Sequence, residues 1–160
     1  MDYFEGVVAD YLSADRAMFV NPQCRIQLVP GSKPRKGESW YCDILAVSFR
    51  DSTAYLCEVT LSRSIAALDK RLREWNENWS AIRDALSRDN AIPESWAVRP
   101  WVFVPEAQTE LVSSKVARFL DSTVGSERMP APRITSLESV TPWQYETPRQ
   151  SPSLGDALGS

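Results

Sequence analysis

Two apolar runs, residues 41–49 and 54–61, are separated only by Arg50-Asp51-Ser52-Thr53. Both are rich in β-branched, aromatic and aliphatic residues, and so short a polar break between such runs is the signature of a β-hairpin. This hairpin, within residues 40–60, constrains the rest of the chain, because a pair of strands this apolar must be covered by other elements. Each run also carries one acid, Asp43 in the first and Glu58 in the second. An acid inside a core strand is paired, or binds a metal, or sits at a strand end in water.

Strand alternation puts Glu58 and Thr60 on the face of Leu56, and Asp43 on the face of Leu45 and Val47. If Asp43 opposes Glu58, the turn is centred between Arg50 and Asp51, which suits a loop of two or four residues. The two carboxylates then project from one face with Cβ atoms about 5 Å apart. Such a pair repels itself and raises its own pKa values unless a cation intervenes. Hard divalent ions such as Mg²⁺ favour oxygen ligands of this kind.

Composition narrows the chemistry. The 160 residues suit a single domain at 1–145, followed by a Pro- and Ser-rich tail at 146–160 that reads as disordered. The net charge of −3 gives no global basic signature, so a nucleic-acid partner must be met by a local patch. No apolar run approaches a membrane span, and the N-terminus lacks the basic region and apolar core of a signal peptide. The three cysteines, Cys24, Cys42 and Cys57, fall in expected strands without CxxC spacing. They read as buried small hydrophobes in a reduced, cytoplasmic protein. There is no histidine, which excludes a Ser-His-Asp triad, a Cys-His pair and a His-ligated zinc site. No Gly-rich phosphate loop is present. Chemistry is left to carboxylates, supported by Lys, Arg, Tyr, Ser or Thr.

The remaining elements follow from periodicity. Residues 2–13 read as a helix, with Phe4, Val7, Val8, Tyr11 and Leu12 on one stripe, Asp2 as N-cap or first-turn acid and Glu5 at the stripe's border. Residues 18–29 read as a strand interrupted near Asn21-Pro22. The loop that follows carries Lys33, Arg35 and Lys36, candidate phosphate contacts. Residues 62–88 read as the longest helix, with Ser62 or Ser64 as N-cap and Ile65, Leu68, Leu72, Trp75, Trp79, Ile82 and Leu86 on one stripe. Lys70, Arg71 and Arg73 lie off that stripe and read as solvated, although Arg63 and Lys70 have the reach to lean toward the acids. A fourth strand is expected at 97–104, where Pro100 suggests an edge or a bulge. A second amphipathic helix is expected at 106–120, with Leu111, Val112, Val116, Phe119 and Leu120 facing inward. A short strand at 133–137 follows, then a turn near Trp143 and Tyr145.

Helix, three strands, helix, strand, helix, strand, with Glu5 on the first helix, Asp43 on the second strand and Glu58-Val59-Thr60 on the third, resembles the restriction-endonuclease-like PD-(D/E)XK nuclease superfamily over about residues 2–137. The resemblance implies an α/β (α+β) fold with an αβββαβ core and a central mixed sheet of four to five strands flanked by helices. It implies a metal-dependent nuclease that hydrolyses phosphodiester bonds, in defence or DNA processing. Asp43, Glu58 and the carbonyl of Val59 would hold Mg²⁺ or Mn²⁺, and Glu5 would assist. Lys33, Arg35, Lys36, Arg63 and Lys70 are the candidate nucleic-acid contacts. Enzymes of this fold often act as homodimers or beside a co-encoded protein. Two positions depart from the pattern: Cys42 stands where the family has proline, and Thr60 where it has lysine. A threonine hydroxyl can position water but supplies no positive charge. The alternative is therefore a catalytically degenerate domain of the same fold, acting as a nucleic-acid-binding or protein-interaction module.

Overall fold

The computed structural model describes residues 2–30, 39–125 and 127–141. Five strands form one mixed sheet in the order β1-β2-β3-β4-β5. They are β1 (Met18–Gln27), β2 (Ser39–Ser48), β3 (Thr53–Val59), β4 (Ala97–Val104) and β5 (Arg133–Ser136). The first three run antiparallel, while β3–β4 and β4–β5 are parallel. Helices α1 (Tyr3–Ser13) and α5 (Leu137–Val140) cover one face, and α2 (Ala66–Glu77), α3 (Trp79–Asp89) and α4 (Glu106–Ser122) cover the other. The sheet is thus buried on both sides, which is why β3 is buried along almost all of its length instead of alternating with water. No helix among the described residues is long and apolar enough to cross a membrane.

The hairpin has the expected register. Its ladder runs from Ile44↔Cys57 to Ser48↔Thr53 and closes on a four-residue loop. Ser52 occupies the left-handed region at φ 51°, and Ser48 Oγ accepts from the Asp51 N–H at 3.1 Å. Helix α1 begins with a capping box: Asp2 Oδ1 accepts from Glu5 N at 2.8 Å, and Glu5 Oε2 accepts from Asp2 N at 3.4 Å.

Several expectations need correction. The helix read at 62–88 is two helices that begin at Ala66 and break at Asn78, whose Nδ2 donates back to the Glu74 carbonyl. The apolar stripe runs through the break because both helices pack on the same sheet face. The N-cap position is Ile65, not a serine; Ser62 and Ser64 instead accept from Ser64 N and Ala66 N in successive local turns. Among the described residues the longest helix is α4. Leu111 is 46 % exposed, while Val112, Val116, Phe119 and Leu120 are buried. Strand β4 is interior, not an edge. Pro100 is tolerated because the β4–β5 ladder starts only at Trp101↔Arg133, so beside Pro100 that flank has no strand partner. Lys33, Arg35 and Lys36, the turn at Trp143 and Tyr145, and the tail lie outside the described residues.

Candidate functional site

Beyond Ile44↔Cys57 the hairpin ladder stops, and β2 and β3 part. Asp43 and Glu58 stand at this fork, one on each strand. The strand alternation also breaks there. Cys42 and Leu45, three positions apart, both pack in the core beneath α2–α4, whereas regular alternation would place them on opposite faces. Strand β1 makes the same switch: Met18 and Val20 pack on the α1 side, Cys24 and Ile26 on the other. Gln23 at φ 51° turns the strand over, directly across from Asp43, where the β1–β2 ladder skips one pair.

Side chains fill the fork. Asp43 Oδ2 accepts from the Val59 N–H at 2.8 Å, in the place of a ladder carbonyl. Arg71 reaches in from α2, and its Nη1 donates to the Tyr41 carbonyl at 2.7 Å and to Glu58 Oε1 at 2.9 Å. Glu58 is only 8 % exposed. Burial, followed by repulsion from Asp43, pushes its carboxyl up to about 8, against the opposing pull of Arg71. The Asp43 carboxylate adds to the rise as an acceptor for the protonated form of Glu58. Glu5 is the third acid. Its pKa is raised by partial burial and then by Asp43, which brings α1 into the same electrostatic cluster.

The sequence-derived site is therefore assembled in part. Glu5, Asp43 and Glu58 interact, and Val59 contributes through its N–H. Thr60 lies just past β3; its N–H donates to the Phe103 carbonyl and its Oγ1 accepts from Ser62 N at 3.2 Å, a turn-forming role. Lys70 lies 4.0 Å from Glu74 with a largely exposed side chain. The Arg63 carbonyl accepts from Gln108 Nε2. Neither residue forms an ion pair with the acids. Among the described residues the cation that does is Arg71, which periodicity alone assigns to water. The signal for it was elsewhere: Leu68, Leu72 and Trp75 are buried, so the position before Leu72 borders the buried face and a long side chain there can reach the sheet. Arg25 and Tyr41, opposed across β1 and β2 and both exposed, flank the fork on its outer side.

Among the described residues no group of three or more His, Cys, Asp or Glu side chains is arranged to hold a metal ion, so Glu5 does not complete a ligand shell. Asp43 and Glu58 alone nonetheless match what Mg²⁺ uses, which is one or two carboxylates with water and phosphate oxygens completing the octahedron. A divalent cation between them would offset the repulsion that Asp43 exerts on Glu58. Scanned against protein-family models, curated proteins and solved structures, the chain finds no match.

Proposed function

We propose that this protein is a metal-dependent nuclease that hydrolyses phosphodiester bonds, with its site at the β2–β3 fork. The element order α1-β1-β2-β3-α2-α3-β4-α4-β5 supports a restriction-endonuclease-like core in which α2 and α3 together take the place of one helix. The observation that carries the reading is the Asp43–Glu58 pair: two carboxyl groups, one of them almost fully buried, facing each other where the sheet opens. Open α/β sheets take ligands at the carboxyl ends of their parallel strands, and Glu58 stands at that end of β3.

In this reading Asp43 and Glu58 hold Mg²⁺ or Mn²⁺, which when bound neutralises charge on the phosphate and acidifies its water. The Val59 N–H fixes the Asp43 carboxylate through Oδ2 and leaves Oδ1 for the ion. Arg71 fixes Glu58 through Oε1, leaves Oε2, and supplies from α2 the positive charge that Thr60 lacks. Glu5 sits near enough to bias the site's charge and to hold a water. Glu58 gives up its proton when a cation replaces it.

One observation favours the alternative, a degenerate binding or interaction module. Arg71 and the Val59 N–H already satisfy one oxygen of each acid and clamp the fork shut. Calorimetric titration of Mn²⁺ and Mg²⁺ into the wild type and Asp43→Asn separates the two. Asparagine keeps an acceptor for Val59 and removes the charge. Saturable binding in the wild type, lost in the variant, supports the nuclease, and a screen over single- and double-stranded DNA and RNA then defines the substrate. Absent or unchanged binding overturns it in favour of the interaction module.

A further inference from the structure

Cys24 on β1 and Cys42 on β2 are direct partners in the antiparallel register. Partners in such a ladder have Cα atoms about 4.5–5.5 Å apart, inside the window of about 4.4–6.8 Å that a disulfide spans. Directly opposed residues project from the same face of a sheet, and both cysteines pack in the core beneath α2–α4. Asn90 Nδ2 donates to Cys24 Sγ at 3.8 Å from the end of α3. The neighbouring Cys42 thiol and the Asn90 amide lower the Cys24 thiol below its ordinary value against the effect of burial, and Cys24 Sγ itself donates to the Arg25 carbonyl at 3.8 Å. Both cysteines are buried. However, β1 is the outer strand of the sheet, and Pro22, Gln23 and Arg25 beside Cys24 are exposed. The left-handed backbone at Gln23 interrupts the ladder next to the pair, so a small oxidant has only an edge strand to pass. Cys57 differs on each count: it packs in the other core, on the α1 side of the sheet, and desolvation pushes its thiol far up.

We infer that Cys24 and Cys42 form an oxidisable dithiol that reacts with hydrogen peroxide and closes to a cross-strand disulfide beside Asp43. The Cys24 thiolate attacks one peroxide oxygen, the O–O bond breaks, and hydroxide leaves with the electron pair. The resulting sulfenic acid is attacked by Cys42 sulfur, the S–O bond breaks, and water departs with the Cys42 proton. In sum two thiols are oxidised by two electrons and one peroxide is reduced to two waters. The bond would join β1 to β2 on the side of Asp43 away from Glu58.

The three cysteines fall in separate tryptic peptides, residues 17–25, 37–50 and 51–63, which makes the test direct. The full-length protein is treated with hydrogen peroxide, quenched in denaturant with an alkylating reagent, digested and analysed by mass spectrometry. The expected product is one cross-link between peptides 17–25 and 37–50, two hydrogens lighter than the separate pair and reversed by dithiothreitol, with Cys57 alkylated. In Cys42→Ser, Cys24 should instead stop as a sulfenic acid and be trapped by dimedone. Separate peptides bearing free or sulfinic cysteine after oxidation of the wild type would overturn the inference. A link to peptide 51–63 would do the same. Because the wild type alone gives the decisive peptide map, the result does not depend on the variant folding.

Discussion

Arg71 Nη1 lies 2.9 Å from Glu58 Oε1, and the pair joins α2 to the strand end where β2 and β3 separate. Glu58 is nearly buried, whereas the arginine side chain is 40 % exposed. Water screens such a pair only from one side, so the contact is worth more than a surface ion pair and less than a fully buried one. Replacing Arg71 with Met should destabilise the fold by about 1–2 kcal/mol, after discounting for the arginine's exposure. In Arg71→Met/Glu58→Gln much of that loss should return, because the buried carboxyl that Arg71 partners is gone as well. A double-mutant cycle by urea denaturation measures the coupling, and simple additivity would show that the contact carries none.

Glu58 also sets a pH dependence. Its folded pKa of about 8 lies above the ordinary carboxylate value of 4.5. The folded protein therefore holds a proton that the unfolded chain has released. The stability from this group is complete below about pH 4.5 and is lost as pH rises through 8. Within that window the slope contributed by this one proton approaches about 1.4 kcal/mol per pH unit. Stability measured from pH 5 to 9 should fall for the wild type and flatten in Glu58→Gln. An equal slope in both proteins would assign the dependence to another group.

Gln23 holds φ 51° in the middle of a strand. A left-handed conformation is open to glycine and strained for most other residues, most of all for β-branched ones. Gln23→Gly should leave stability unchanged or raised by up to about 1 kcal/mol, whereas Gln23→Val should lower it by about 1–3 kcal/mol. Thermal denaturation of both variants checks the order.

Trp75 is fully buried, and its Nε1 has no hydrogen-bond partner among the described residues. An unsatisfied buried donor costs about 1–3 kcal/mol. Trp75→Phe removes that donor along with some apolar area, so it should cost less than about 1 kcal/mol, where Trp75→Ala should cost about 3–5 kcal/mol. Chemical denaturation distinguishes these values, and a large loss in the phenylalanine variant would mean that the indole N–H is satisfied.

Much of this architecture is written in local pattern. The hairpin register follows from two apolar runs and the loop between them, and the opposition of Asp43 and Glu58 follows from the register. The N-cap at Asp2, the interior faces of α2 and α3, and the burial of all three cysteines were legible for the same reason, since each depends on neighbours within a few positions of the chain. Three features depended on contacts between distant segments. Arg71 lies on the polar flank of its helix by periodicity, yet packing of α2 on the sheet brings its guanidinium to Tyr41 and Glu58, 30 and 13 positions away. Pro100 reads as an edge residue, and only the late start of β5 pairing lets it lie inside the sheet. The face switch at Gln23 and Asp43, which aligns Cys24 with Cys42 in one core, requires two strands to turn over together. A sequence determines which side chains want to be buried and with what period. Which of them meet across the sheet, and what charge a buried acid then carries, is decided by the packing that removes water between them.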